Sequence, residues 1–106
     1  MTTTQLKVRG RIRLLKTISH PVKLMILEEL LKGVKCVGDF QDLLEIRQPN
    51  VSQHLAALRH HDLVDAYQKG KEKCYYLTKP KLVRDLLAFL ERDYPETFKD
   101  KKVVCC

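Results

Sequence analysis

The four cysteines are the residues of this sequence with the most distinctive chemistry. Cys36 and Cys74 lie within the chain, and Cys105 and Cys106 end it as an adjacent pair. Thiolates bind soft ions such as As(III), and neighbouring thiols oxidise to disulfides. The sequence has no run of about 18 apolar residues and no apolar signal segment near its start. We therefore expect a cytoplasmic protein with no membrane partner, whose cysteines are reactive or ligand thiols before they are disulfides.

A second group of reactive side chains surrounds the stretch QPNVSQHLAALR. Val51, Leu55 and Leu58 recur at the i, i+4, i+7 spacing of one buried helical stripe, which predicts a helix over residues 48–60. Donors and acceptors that suit base edges or phosphates lie off this stripe: Asn50, Ser52, Gln53, His54 and Arg59. The chain has 20 basic and 13 acidic residues, a formal charge of +7. This excess favours a polyanionic partner, most simply nucleic acid.

The remaining elements that would position these residues follow from periodicity and punctuation. Helices are predicted over residues 5–19, 22–32 and 37–44 and from Pro80 onward, a minimal strand over 34–36, and two strands over 63–67 and 73–78. Ser19 is the predicted N-cap of the second helix, with Pro21 in its first turn, and Gly33 is its predicted C-terminal cap.

The two later strands form a predicted hairpin with Gly70 in its turn. Lys69, Lys71 and Lys73 crowd this turn and are expected to contact phosphates. Two short helices joined by a tight turn and followed by a hairpin indicate a winged helix-turn-helix. The fold class is therefore mainly α (α+β), with about five helices and a wing of two or three β-strands.

The last helix has two apolar faces, one for the core and one for a partner, so a homodimer is expected. Residues 1–95 form the predicted winged-helix domain for DNA binding and dimerisation. Residues 96–106 form a predicted flexible tail that ends in Cys105 and Cys106.

The segments ISHPVKLMILEELLKG and VGDFQDLLEIRQPNVSQHLAALRHHDLVDAYQKGKEKCYYLT resemble the ArsR/SmtB family of winged-helix repressors. The resemblance covers roughly residues 14–90 and is greatest for the arsenic-responsive members. One departure is His61-Asp62, where the family usually has a small residue and then glycine. Aspartate tolerates a left-handed backbone, so we expect the turn to be retained.

The resemblance implies a homodimer that binds an inverted-repeat operator in double-stranded DNA and represses transcription. The helix over residues 48–60 would then enter the major groove. The expected DNA-contacting residues are Arg47, Gln48, Asn50, Ser52, Gln53, His54, Arg59, Lys69, Lys71 and Lys73.

The resemblance also suggests where an inducer would bind. The last helix has no histidine, so the zinc site found between protomers in some relatives is not expected here. Other relatives bind As(III) through Cys-x-Cys at the start of the first helix-turn-helix helix. Cys36 matches the first of these cysteines, and Gly38 stands where the second would be. The missing thiols would come from elsewhere in the chain.

The predicted ligands of the inducer are Cys36, Cys74, Cys105 and Cys106. In a winged helix the minimal strand pairs with the second wing strand, so Cys36 and Cys74 could be neighbours. Tyr75 matches an inward position of the family, which would leave Cys74 facing outward. The expected inducer is As(III), with Sb(III) or methylarsenite as related species, and no organic cofactor is expected.

Three alternatives stay open. A repressor of the same fold could sense oxidants by pairing Cys105 or Cys106 with Cys36 or Cys74. It could also sense soft metals such as Cd, Pb or Hg, or its winged helix could bind protein instead of DNA. An enzyme is not expected, because no glycine-rich phosphate loop or nucleophile–base pair is present. The His60-His61-Asp62 cluster is interpreted as the surface of a helix end.

Overall fold

The structure is a computed structural model that describes residues 2–44 and 48–95. Its elements in chain order are α1 (Thr3–Ile18), α2 (Pro21–Leu31), β1 (Lys35–Cys36), α3 (Val37–Leu44), α4 (Gln48–His60), β2 (Val64–Lys69), β3 (Glu72–Leu77) and α5 (Pro80–Glu91). These five helices and one three-stranded sheet confirm the predicted winged helix-turn-helix. Within the described ranges, every helix is too short or too polar to span a bilayer.

The cap of α2 differs from the prediction. Ser19 ends α1, and the N-cap is His20, whose imidazole Nδ1 accepts the Val22 N–H at 3.1 Å. The ring nitrogen takes the place of the hydroxyl acceptor expected from Ser19, and Pro21 occupies the first turn. The glycine stop is confirmed, because Gly33 follows the helix with φ of +144°.

The sheet has the antiparallel order β1-β3-β2. The β2–β3 hairpin closes with Lys69 opposite Glu72, and Gly70 has φ of +62° in its two-residue turn. This is the first turn position, where glycine meets no steric penalty. The short strand β1 pairs with β3 so that Cys36 lies opposite Cys74. The sheet thus confirms that these two cysteines are neighbours.

The core lies between the helix-turn-helix, the base of the wing and α5. Val51, Leu55 and Leu58 of α4 are fully buried, as their spacing predicted. The core also contains Ile18, Ile26, Leu27, Leu30, Phe40, Leu63, Val64, Tyr75, Val83 and Leu87. Between α4 and β2, Asp62 adopts φ of +61°, so the predicted left-handed turn is present without glycine.

Two helices keep apolar side chains outside this core. On α5, Val83 and Leu87 are buried, whereas Phe89 and Leu90 are more than half exposed. On α1 the exposed apolar residues are Leu6, Val8, Ile12 and Leu15. The two faces predicted for α5 are therefore present, and α1 adds a second apolar surface that one chain leaves uncovered.

Candidate nucleic-acid interface and thiol site

The outer face of α4 presents polar side chains because its apolar stripe is anchored in the core. Asn50 and Gln53 are exposed, and Ser52 is half-buried. Amide and hydroxyl groups in these positions can exchange hydrogen bonds with base edges or phosphates. Gln48 belongs to the first turn of α4, and the predicted contact from Arg47 lies outside the described residues.

His54 lies against the start of α2 and is half-buried. Its ring packs against the His20 ring at a tilt of 41°, with centroids 4.3 Å apart. Burial lowers the pKa of His54 below its ordinary value, and the nearby His20 and Lys23 lower it further. Both effects favour the neutral imidazole. Its predicted DNA contact stays a prediction, and the geometry adds a packing role between α4 and the α2 cap.

Arg59 has a partner within the chain. Its Nε lies 3.2 Å from Asp65 Oδ1 at the start of the wing, and both side chains are about half exposed. An ion pair at this exposure contributes only about 0–1 kcal/mol. A phosphate could therefore replace the carboxylate at little cost.

The wing tip presents the three predicted lysines to solvent. Lys69, Lys71 and Lys73 are all exposed, and Lys73 Nζ lies 5.8 Å from the centroid of the Tyr75 ring. An open groove of about 620 Å³ runs between the wing and the helix-turn-helix, and Ser52, Lys71 and Lys73 line part of it. Two wing lysines and Ser52 of α4 thus border the same groove.

The base of the wing holds a disulfide between Cys36 and Cys74. Two expectations are corrected here, because both thiols were expected to be reduced and Cys74 was expected to face outward. Cys74 is only 1% exposed, and its sulfur is bonded to Cys36 of the paired strand β1. Cys36 is half-buried and therefore the more accessible sulfur of the pair.

A third potential ligand lies beside the two sulfurs. The Glu72 carboxylate and the Sγ atoms of Cys36 and Cys74 all lie within 4.8 Å of one another. Sequence reasoning missed Glu72, although strand alternation places residues 72 and 74 on the same face of β3. Because the sulfurs are bonded to each other, this group can bind a soft ion only after reduction.

Cys36 immediately precedes α3, where the helix dipole favours a thiolate. Its backbone N–H donates to Asp39 Oδ2 at 2.8 Å, the contact made by the acidic residue of a capping box. The Asp39 carboxylate opposes a nearby thiolate and so partly offsets the dipole. The predicted reactivity of Cys36 thus has one favourable and one unfavourable local contribution.

Gly38, the position of the missing second cysteine, has room for a side chain. A Cβ atom there would meet only Glu72 Oε1, at 3.7 Å, which is an ordinary van der Waals contact. The remaining predicted ligands, Cys105 and Cys106, lie outside the described residues.

Comparison with known proteins gives one family match and several relatives. Residues 20–66 match the family model described as bacterial regulatory protein, arsR family. The chain is 41% identical to a biofilm growth-associated repressor of Agrobacterium fabrum over 71 residues, 67% of this chain and 61% of the relative. It is 34% identical to the HTH-type transcriptional regulator CmtR of Mycobacterium bovis over 86 residues, 81% of this chain and 73% of CmtR. The match thus spans about three fifths of the first relative's length.

A solved structure described as reduced HlyU from Vibrio cholerae has a similar fold. The TM-score is 0.76 at 30% sequence identity, covering 88% of this chain and all of HlyU (100%). The similarity therefore extends well beyond residues 20–66 and includes most of the described helices and strands.

Proposed function

Because this chain belongs to the arsR family of bacterial regulatory proteins, we propose that it is a homodimeric, DNA-binding transcriptional repressor controlled by the oxidation state of Cys36 and Cys74. The observation that supports this proposal most directly is the disulfide between these residues at the base of the wing. In the reducing compartment that the sequence predicts, disulfides are usually transient or redox-sensing.

Operator binding uses the polar surface formed by α4 and the wing. Ser52 and Gln53 contact base edges, and the wing lysines contact phosphates and set the salt dependence. The exposed apolar residues of α1 and α5 form the dimer interface, which places two α4 helices about one DNA turn apart, on the order of 10 base pairs. The formal charge of +7 on each chain favours this partner.

The redox step consumes one peroxide equivalent per chain. The Cys36 thiolate, the more accessible sulfur, attacks the O–O bond and becomes a sulfenic acid as hydroxide leaves and takes up a proton to form water. The Cys74 thiol then displaces the sulfenic oxygen as a second water and forms the S–S bond. Two thiols are thus oxidised by two electrons, and the peroxide is reduced to two waters.

The disulfide affects DNA binding because of what it joins. Cys36 directly precedes α3, the first helix of the helix-turn-helix, whereas Cys74 belongs to the strand that leads out of the wing tip. The bond therefore fixes the wing to the helix-turn-helix, and the two parts can no longer adjust independently to the duplex. We expect the oxidised dimer to bind its operator more weakly than the reduced dimer.

This proposal is tested with a fluorescent duplex taken from upstream of the gene that encodes the protein. Anisotropy gives the affinity of the full chain after reduction and after mild peroxide treatment, with a scrambled duplex as control. The proposal predicts salt-dependent binding by the reduced protein and weaker binding after oxidation. Equal affinities in both states would reject the redox switch while leaving the repressor intact.

A second candidate inducer is As(III), supported by the proximity of Cys36, Glu72 and Cys74. As(III) prefers three thiolates, and the reduced pair supplies two. Cys105 or Cys106 would supply the third, and Sb(III), methylarsenite or a soft divalent metal could use the same donors.

Gly38→Cys sharpens the test of this candidate. The new thiol would complete Cys-x-Cys where the backbone has room for it, and it should tighten arsenite binding by about tenfold or more. Gly38→Ser is the matched control, because it adds a similar volume without a thiol. If arsenite leaves operator binding unchanged in the reduced wild type and in Gly38→Cys, the arsenic candidate fails.

A further inference from the structure

A basic cavity of about 490 Å³, wide open to solvent, lies between α1, the first turn of α2 and the segment after α4. This volume falls within the range of small-molecule sites. Its lining includes Arg9, Arg13, Lys16, Lys23 and His61. None of these charged residues belongs to the α4 face, the wing or the cysteine site. Ile12, which also lines the cavity, belongs to the apolar surface of α1 that is proposed for the dimer, so the cavity borders that surface.

The four cationic side chains of this cavity lack compensating acids. In the part of the chain that the structure describes, no carboxylate lies within 4.0 Å of Arg9, Arg13, Lys16 or Lys23. The α1 sequence also contains no acidic residue that could form an i, i+4 pair with them. Like charges that converge without counter-charges destabilise the folded chain, and a bound anion would remove this cost.

The pKa of His61 is affected by cations of the cavity. Burial lowers its pKa, and the charges of His60, Arg13 and Lys23 lower it further, whereas Asp62 raises it slightly. Arg13 and Lys23, from two different helices, thus act on the same side chain. The lining therefore combines cations from two helices beside one imidazole.

The cavity also has a fixed wall. Thr17 is 5% exposed, and its hydroxyl donates to the Arg13 backbone oxygen at 2.8 Å. One turn of α1 thereby holds Arg13 and Lys16 beside a buried hydroxyl whose proton is already donated within the helix, so hydrogen bonds to an anion must come from the cationic side chains. Guanidinium groups bind phosphate oxygens in a bidentate manner, and ammonium groups add charge.

We propose that this cavity, lined by Arg9, Arg13, Lys16, Lys23 and His61, is a binding site for phosphate groups separate from the recognition helix. The phosphate can belong to a free polyphosphate anion or to the DNA backbone. Binding of a free polyphosphate needs no DNA and is independent of the proposed function. Binding of a backbone phosphate rests on the proposed function.

Titration calorimetry with inorganic diphosphate tests the site on the reduced full-length protein in a phosphate-free buffer. The cavity variant is Arg13→Gln with Lys16→Gln. The matched control is Arg11→Gln with Lys7→Gln, which removes the same charges from α1 outside the cavity lining. Circular dichroism establishes that both variants fold, and the salt dependence of operator binding is measured for all three proteins.

Either of two results would support the site, and each identifies where the bound phosphate comes from. Saturable diphosphate binding that weakens about tenfold or more in the cavity variant, but not in the control, indicates a free polyphosphate ligand. Absence of diphosphate binding, with a lower slope of log affinity against log salt in the cavity variant alone, indicates a backbone phosphate. Equal effects in both variants, or no effect in either assay, overturn the proposal.

Discussion

The tip and the base of the wing are connected by β3 but differ in exposure and in chemistry. At the tip, Lys71 and Lys73 are exposed, and their charges act through solvent. At the base, Cys74 and Tyr75 are 1% and 5% exposed, and Cys74 is covalently joined to Cys36. Exposed charges change an affinity in small, salt-dependent steps, whereas a buried bond is either present or absent. The tip is therefore suited to binding DNA phosphates, and the base is suited to changing the DNA affinity when the disulfide forms or breaks.

The largest predicted effect is on stability, and it comes from a substitution in the core that supports both ends of the wing. Leu55 is fully buried in the stripe that anchors α4, and Leu55→Ala should lower the free energy of unfolding by about 2–5 kcal/mol. Urea denaturation of the reduced protein measures the change. Ala56→Ser, an exposed substitution next to it, should stay within about 0.5 kcal/mol. A loss below about 1 kcal/mol for Leu55→Ala would contradict the assigned core.

Removing the disulfide at the base of the wing should abolish the response to peroxide without abolishing operator binding. In the wild type we expect peroxide to weaken operator binding by about 5- to 150-fold, the usual range of coupling between two sites. Cys36→Ser with Cys74→Ala should bind like the reduced wild type before and after peroxide. Anisotropy with the operator duplex measures both affinities. A variant that still responded fully to peroxide would show that other thiols are responsible.

Substitutions at the wing tip should alter the salt dependence of operator binding and leave the response to peroxide intact. Each lost phosphate contact lowers the slope of log affinity against log salt by about 0.9, and a dimer has two wings. Lys71→Gln should therefore reduce the slope by up to about 2 and retain the response to peroxide. Lys81→Gln, an exposed lysine on α5, serves as control. The same slope in both variants would remove the wing tip from the DNA interface.

The smallest predicted effect concerns His54, which links α4 to the α2 cap. The pKa of His54 is lowered from 6.5 in the folded chain. As the pH falls, His54 therefore becomes protonated in the unfolded chain before it does so in the folded chain. Stability is then lost as the pH falls, and His54→Gln should reduce the loss between about pH 7.5 and pH 5.5. Chemical denaturation at several pH values measures this, with His60→Gln as control. An unchanged pH dependence in His54→Gln would contradict the assigned burial of this ring.

Local sequence signals were sufficient for most of the fold. The spacing of Val51, Leu55 and Leu58 predicted both the limits of α4 and its buried face. Gly33 and Gly70 marked the helix end and the hairpin turn, because a backbone with positive φ favours glycine. These features depend on neighbours within one or two turns, which a single sequence contains.

One error is local, and the others concern residues that are distant in the sequence. The α2 cap was assigned to Ser19 on residue preference, but the His20 ring reaches the acceptor position. The pairing of β1 with β3 was expected but the burial of Cys74 was not, because strand alternation gives the face of a side chain and not how much of it stays exposed. The pairing places Cys36 beside Cys74 as expected, but they are bonded to each other, whereas the sequence suggested disulfide partners in the tail.

The central claim is that the Cys36–Cys74 bond weakens operator binding. Its most direct test is the operator affinity of Cys105→Ser with Cys106→Ser, measured by anisotropy before and after mild peroxide. This variant keeps the pair at the base of the wing and removes both thiols of the tail. We predict the full wild-type loss of affinity on oxidation and its recovery with a reductant. An affinity that no longer responds to peroxide would assign the switch to the tail thiols and contradict the claim.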